Sequence, residues 1–215
     1  MLHLRHLAYH PLATSQPILR DIELTLAPHQ LGLVVGPSGS GKSTLLELVA
    51  GLAQPSQGAI YWQNNRLTAP ELQQVAGLVF QFPERHFCGG TVVEELRLGH
   101  PELRPDQIKE ALAAVHLQQV GLYQAPQALS GGQQRRLALA VQLIRKPYLL
   151  LLDEPMAGLD WSMRRQLVNL LAELKQDWTL LIVSHDTREL GSIADHIWQM
   201  TAGRLVSCPR QAVEV

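Results

Sequence analysis

The sequence predicts an α/β fold: a phosphate-loop type core of strands and helices, a small antiparallel β region near the N-terminus, and an inserted helical lobe. Three observations predict it. Apolar runs of strand length stand at residues 31–35, 148–152 and 179–183, too continuous for strands with one wet face and suited to strands covered on both. A glycine- and serine-rich turn joins the first run to a helical stretch. From about residue 84 to 146 the pattern turns helical, and beyond Pro147 strand–helix alternation resumes. The 215 residues read as a single domain, 1–215, with 84–146 as the helical lobe.

Taken in order, Ile22, Leu24 and Leu26 alternate with Glu23 and Thr25, the period of a half-buried strand. After the run at 31–35 comes a helix over 42–50, with Gly51 as its stop. A turn at 55–58 leads to a strand at 59–62, and a further strand at 78–80 precedes the break at Pro83. Within the lobe, Ile108, Ala111, Leu112 and Val115 fall at i, i+3, i+4 and i+7, giving a helix one apolar face. Met163, Leu167, Leu170, Leu171 and Leu174 make a similar stripe on a helix over 162–175, and we read it as ordinary core.

Composition excludes several classes. Hydrophobic residues make up 46% and charged residues 17%, which excludes a disordered chain. A formal net charge of −1 gives no field for nucleic acid or anionic lipid as the main partner. Cys88 and Cys208 have no paired spacing, which argues against a disulfide framework or zinc site and for a reducing, cytosolic setting. No run approaches the roughly 20 apolar residues of a membrane span, so any service to a membrane is expected to pass through a partner. His3, His6 and His10 fit no strong metal-ligand spacing.

The chemistry concentrates in two motifs. Gly36-Pro37-Ser38-Gly39-Ser40-Gly41-Lys42-Ser43-Thr44 matches G-x-x-x-x-G-K-[ST], with a strand before it and a helix after it. Its glycines let backbone N–H groups point at phosphate oxygens, and the helix N-terminus adds partial positive charge. Lys42 is expected to reach the β- and γ-phosphates of ATP, and the Ser43 hydroxyl to hold Mg²⁺. Residues 148–152, with four consecutive leucines, deliver Asp153 and Glu154 to a sheet edge. There Asp153 can support the Mg²⁺ shell and Glu154 can orient or deprotonate the attacking water.

Leu129-Ser130-Gly131-Gly132-Gln133 opens a helix with bare N–H groups, a second anion site in the same chain. It resembles the signature motif of ABC-type ATPases, which contacts the γ-phosphate held by the other subunit of a head-to-tail dimer. The resemblance extends over nearly the whole chain. Gln81 is similar to the Q-loop glutamine, which senses Mg²⁺ and water; Ala157-Gly158-Leu159-Asp160 resembles the D-loop, and His185 the switch histidine near the γ-phosphate. Tyr9 stands where the family places an aromatic on adenine. The resemblance implies an ATP-hydrolysing subunit with Mg, paired as a homodimer or as a heterodimer with a related ATPase subunit. It implies integral membrane transporter subunits as partners, no nucleic acid, and a peripheral place on the cytoplasmic face of the cell membrane. Arg135 and Arg136, behind the signature, read as solvated, with a role at a subunit surface left open.

Residues 80–87 (FQFPERHF), with Thr91-Val92 and Glu94-Glu95, look like the Q-loop of the energy-coupling-factor ATPases, which drive uptake of vitamins or of nickel and cobalt ions. Cys88-Gly89-Gly90 departs from that pattern. Another ABC transporter branch, a soluble ABC ATPase of DNA repair or translation, and a regulatory module that no longer hydrolyses ATP remain alternatives at this level.

Overall fold

A computed structural model describes residues 1–208 apart from Ala13 and Thr187. Four strands build an antiparallel sheet in the order β2-β1-β4-β5: β1 (Leu2–Tyr9), β2 (Leu19–Leu26), β4 (Gln57–Trp62) and β5 (Asn65–Arg66). Six strands build the main sheet: β3 (Leu31–Val35), β6 (Ala76–Val79), β7 (Leu149–Asp153), β8 (Thr179–Ser184), β9 (His196–Thr201) and β10 (Arg204–Cys208). Their order is β10-β9-β3-β8-β7-β6, parallel throughout except for β10, which runs antiparallel to β9. The helices are α1 (Lys42–Val49), α2 (Ala69–Val75), α3 (Val92–Arg97), α4 (Pro105–Ala114), α5 (Gly131–Ile144) and α6 (Trp161–Leu174).

The leucine-rich strands are apolar throughout because each serves two cores. Leu150 and Leu152 of β7, with Leu180 and Ile182 of β8, enter a cluster shared with α4, α5 and α6. Leu149 and Leu151, with Leu181 and Val183, enter a second cluster shared with α1 and the antiparallel sheet. Successive side chains of a strand point to opposite faces, so a sheet layered on both sides leaves no position for a polar residue. The stripe Ile108, Ala111, Leu112 and Val115 lies in the first cluster, as do Leu167, Leu170, Leu171 and Leu174, with Met163 packed at its margin.

Several elements depart from the expected pattern, the short β5 among them. In β1 the alternation of Leu2 and Leu4 breaks before Leu7, where a bulge puts His6 at φ 48° and shifts the register. In α2 only Leu72 is buried, so no apolar stripe marks it. β9 and β10 form a hairpin through Ala202 and Gly203, both at positive φ (49° and 74°), while most of β10 is exposed or half-exposed. Phe80, placed in a strand by its apolar neighbours, lies just past the end of β6 and is 39% exposed. Among the described residues, no helix is long and apolar enough to cross a membrane.

Candidate functional site

The C-terminal ends of β3, β8, β7 and β6 stand side by side, and each delivers a residue singled out in the sequence. β3 runs into Gly36, β8 into His185, β7 ends at Asp153 and leads to Glu154, and β6 ends two residues before Gln81. Open α/β sheets bind ligands along this edge, where loops replace the strand ladder.

The loop between β3 and α1 turns through Gly39 and Gly41, at φ 78° and 106°, a region in which a side chain is strained. The first N–H groups of α1 lack acceptors within the helix, so loop and helix together present donors to an anion. Lys42 is 6% exposed and folds back, donating from Nζ to the carbonyls of Gly36 (2.7 Å) and Pro37 (3.1 Å). Ser40 is also buried, and its Oγ has no partner among the described residues. An open cleft of about 450 Å³ follows, lined by Ser38, Gly39, Gly41, Lys42, Ser43 and Thr44, with Ile18, Gln81, Glu154 and His185 completing the lining.

Glu154 links the parts. Its backbone sits at φ 45°, unusual for a residue with a side chain, and its N–H donates to the Val183 carbonyl at 2.9 Å. Its Oε1 lies 3.6 Å from Lys42 Nζ, and its Oε2 lies 2.7 Å from His185 Nδ1 and accepts the His185 N–H at 3.1 Å. The carboxylate is therefore held between Lys42 and His185 within the cleft. Asp153 stands behind the lining. The Ser43 hydroxyl lies beside its carboxylate, whose Oδ1 is buried without a partner. Burial pushes the Asp153 carboxyl above its ordinary range; the Glu154 charge adds to this, while Ser43 and Lys42 oppose it. A buried, orphaned carboxylate oxygen beside a serine hydroxyl is the hard oxygen donor set that suits Mg²⁺.

The remaining expected site residues lie outside the cleft lining. Ser130 caps α5: its Oγ accepts the Gln133 N–H (3.4 Å), and the Gln133 side chain accepts the Ser130 N–H (2.9 Å). Gly131 and Gly132 supply the first turn. Asp160 caps α6, accepting the Met163 N–H at 2.8 Å. Tyr9 ends β1 half-buried against the second core; its carbonyl accepts the N–H of Ile18, which does line the cleft.

Two residues carry this arrangement through partners that the sequence does not show. Arg135, expected to be solvated, is 4% exposed, and its guanidinium donates to the carbonyls of Gln81 and Ala157 (the latter at 2.8 Å). Its partners lie 54 and 22 positions away, beyond any local pattern. Glu95, at 5% exposure, explains Cys88-Gly89-Gly90: its Oε2 accepts the N–H groups of Cys88 (2.8 Å) and Gly89 (2.7 Å). A Cβ at Gly89 would lie 2.4 Å from the backbone nitrogen of Glu95, so the turn closes on α3 only with glycine. Gly89→Ala is expected to cost about 1–3 kcal/mol by overpacking. A thermal melt should show the loss, with ATP affinity unchanged because Gly89 lies outside the cleft lining.

Comparison with known proteins is consistent over the chain's length. The family described as ABC transporter matches residues 19–157. ABC transporter I family member 11, chloroplastic, of Arabidopsis thaliana is 42% identical over 97% of this chain and 81% of its own length. Energy-coupling factor transporter ATP-binding protein EcfA2 of Caldanaerobacter subterraneus subsp. tengcongensis is 32% identical over 90% of this chain and 73% of its own. Among solved structures, cbiO1 from Clostridium perfringens, part of the ABC transporter complex cbiONQ, superposes with a TM-score of 0.90. It is 26% identical, covering 99% of this chain and 89% of that one. The ATP-binding cassette MJ0796, a dimer in a post-hydrolysis state bound to ADP and Pi, gives a TM-score of 0.81 at 25% identity, covering 95% and 96%.

Proposed function

The chain belongs to the ABC transporter family, and from that premise we propose that two copies of it sandwich two Mg·ATP and drive an importer of the energy-coupling-factor type. It is an ATP-hydrolysing subunit of a transporter, as the ATP-binding relatives and the post-hydrolysis dimer support. The observation that carries the site assignment is the convergence of Lys42, Ser43, Gln81, Glu154 and His185 on one cleft.

In this reading the loop 36–44 holds the ATP phosphates and Lys42 swings from the Gly36 and Pro37 carbonyls to the β- and γ-phosphates. Ser43, Gln81 and Asp153 would hold Mg²⁺, which when bound would neutralise charge on the phosphates. Gln81 would sense Mg²⁺ and the attacking water and couple them to the helical lobe. Glu154, steadied by His185, orients the water that attacks the γ-phosphorus, and the bond to the leaving ADP oxygen breaks. Tyr9 lies beside the adenine through its contact with Ile18. Ser130, Gly131 and Gly132, with Gln133 and Asp160 shaping the loops around them, complete the site of the partner. A second copy suffices as that partner because this chain carries both halves. Supporting this, a Cβ at Gly131 would meet nothing within 4 Å in its own chain, so no internal contact calls for glycine there. A surface kept bare suits the close approach of another chain's phosphate.

Within the lobe 84–146, the part around Glu84 to Arg97 would pass dimer closing to integral membrane subunits, so the chain sits peripherally at the cytoplasmic face of the membrane. The similarity to EcfA2 and cbiO1 supports the importer class. Two assays test the reading: phosphate release from MgATP by the purified chain, and identification of the membrane proteins that co-purify with it. Release together with capture of importer subunits is expected. Release stimulated by DNA or ribosomes, with no membrane protein captured, would overturn the transport assignment.

A further inference from the structure

Arg135 occupies an unusual position for a cation. It lies five residues past Ser130 on α5, about 7.5 Å along the helix axis, and is 4% exposed. Among the described residues it makes no salt bridge; its bonds go to two main-chain carbonyls, of Gln81 and of Ala157. Glu84 supplies the nearby negative charge that offsets part of the burial. A buried charge paired with carbonyls contributes little to stability, and an apolar residue of similar volume would serve a core as well or better. A planar guanidinium does what an apolar residue cannot: it forks to two acceptors at once. Here the acceptors belong to the loop that brings Gln81 to the cleft and to the loop 157–160.

We propose that Arg135 is a positioning residue for hydrolysis, its forked guanidinium tying the Gln81 loop and the 157–160 loop to the helix whose N-terminus meets the partner's nucleotide. The proposal rests on the ABC ATPase reading and deepens it. Engagement of Ser130 to Gly132 by the partner's γ-phosphate fixes α5, and Arg135 carries that fixed position to Gln81. Each cleft thereby becomes competent when the other is filled. Arg135 touches no substrate and acts through the backbone of Gln81.

Steady-state and single-turnover phosphate release test this on the full chain, comparing wild type, Arg135→Met, Arg135→Lys, Gln81→Ala and the double variant Arg135→Met/Gln81→Ala. Misplacing a reacting group by about 1 Å costs up to about a hundredfold. Arg135→Met should therefore lower kcat about tenfold or more with KM for ATP within about twofold. Arg135→Lys, which keeps the charge and loses the fork, should fall in between. On the Gln81→Ala background, adding Arg135→Met should cost less than about twofold, because the group it positions is gone. A wild-type kcat for either Arg135 variant would overturn the proposal, and so would an undiminished loss on the Gln81→Ala background, which marks a general packing defect. If Arg135→Met fails to fold, Arg135→Lys carries the same decision. Absence of phosphate release from the wild-type chain would instead overturn the ATPase reading beneath it.

Discussion

Glu154→Gln is expected to lower kcat about a hundredfold or more while ATP stays bound, because general-base catalysis is worth about 10²–10⁴ in rate. The substitution keeps size and shape and removes the charge. Of the contacts that Glu154 makes, the His185 N–H bond survives with an amide oxygen, and the 3.6 Å approach to Lys42 loses its ionic character. Lys42 keeps its bonds to Gly36 and Pro37, so the phosphate loop stays formed. What disappears is the group able to align and deprotonate water. Phosphate release and equilibrium ATP binding, measured on the same preparation, separate the two effects. Turnover at the wild-type rate would remove Glu154 from the chemistry.

Ser130→Arg is expected to abolish turnover about as completely, by another route. Within its own chain Ser130 caps α5, and loss of such a cap costs about 1 kcal/mol, which leaves the chain folded. ATP binding by a single chain should be unchanged, since Ser130 does not line the cleft of its own chain. A bulky side chain at an exposed helix N-terminus would block the approach of a partner's γ-phosphate, so kcat should fall by about a hundredfold, the scale for losing a preorganised anion site. Ser130→Ala, which removes the hydroxyl without adding bulk, gives the comparison: it should lose less than Ser130→Arg, and a thermal melt showing Ser130→Arg unfolded would point to a cap defect and away from the interface.

Legibility in the sequence followed the range of the interactions. The 36–44 loop, the acids at the end of β7 and the signature turn are local motifs, readable because their chemistry demands fixed spacing over a few residues. The continuous leucines of β7 were readable for a similar reason: a strand covered on both faces admits nothing polar. β1 was obscured by a single bulge at His6, which shifts its alternation by one position. The β9–β10 hairpin was obscured by Ala202-Gly203, a loop without the asparagine or aspartate that usually marks such turns. The burial and partners of Arg135 and Glu95 were invisible in another sense. A charged residue on a helix reads as solvated until the fold brings backbone carbonyls or N–H groups to it. Burial of a charge is decided by tertiary contact, and a one-dimensional pattern does not contain it.

The central claim is that each nucleotide site is built from two chains. Sedimentation of the Glu154→Gln chain, alone, with ADP and with MgATP, tests it most directly. The account predicts a species of twice the chain mass with MgATP only, holding two ATP, and its return to single-chain mass when Ser130→Arg is added. A Glu154→Gln chain that binds ATP yet sediments at single-chain mass would contradict it.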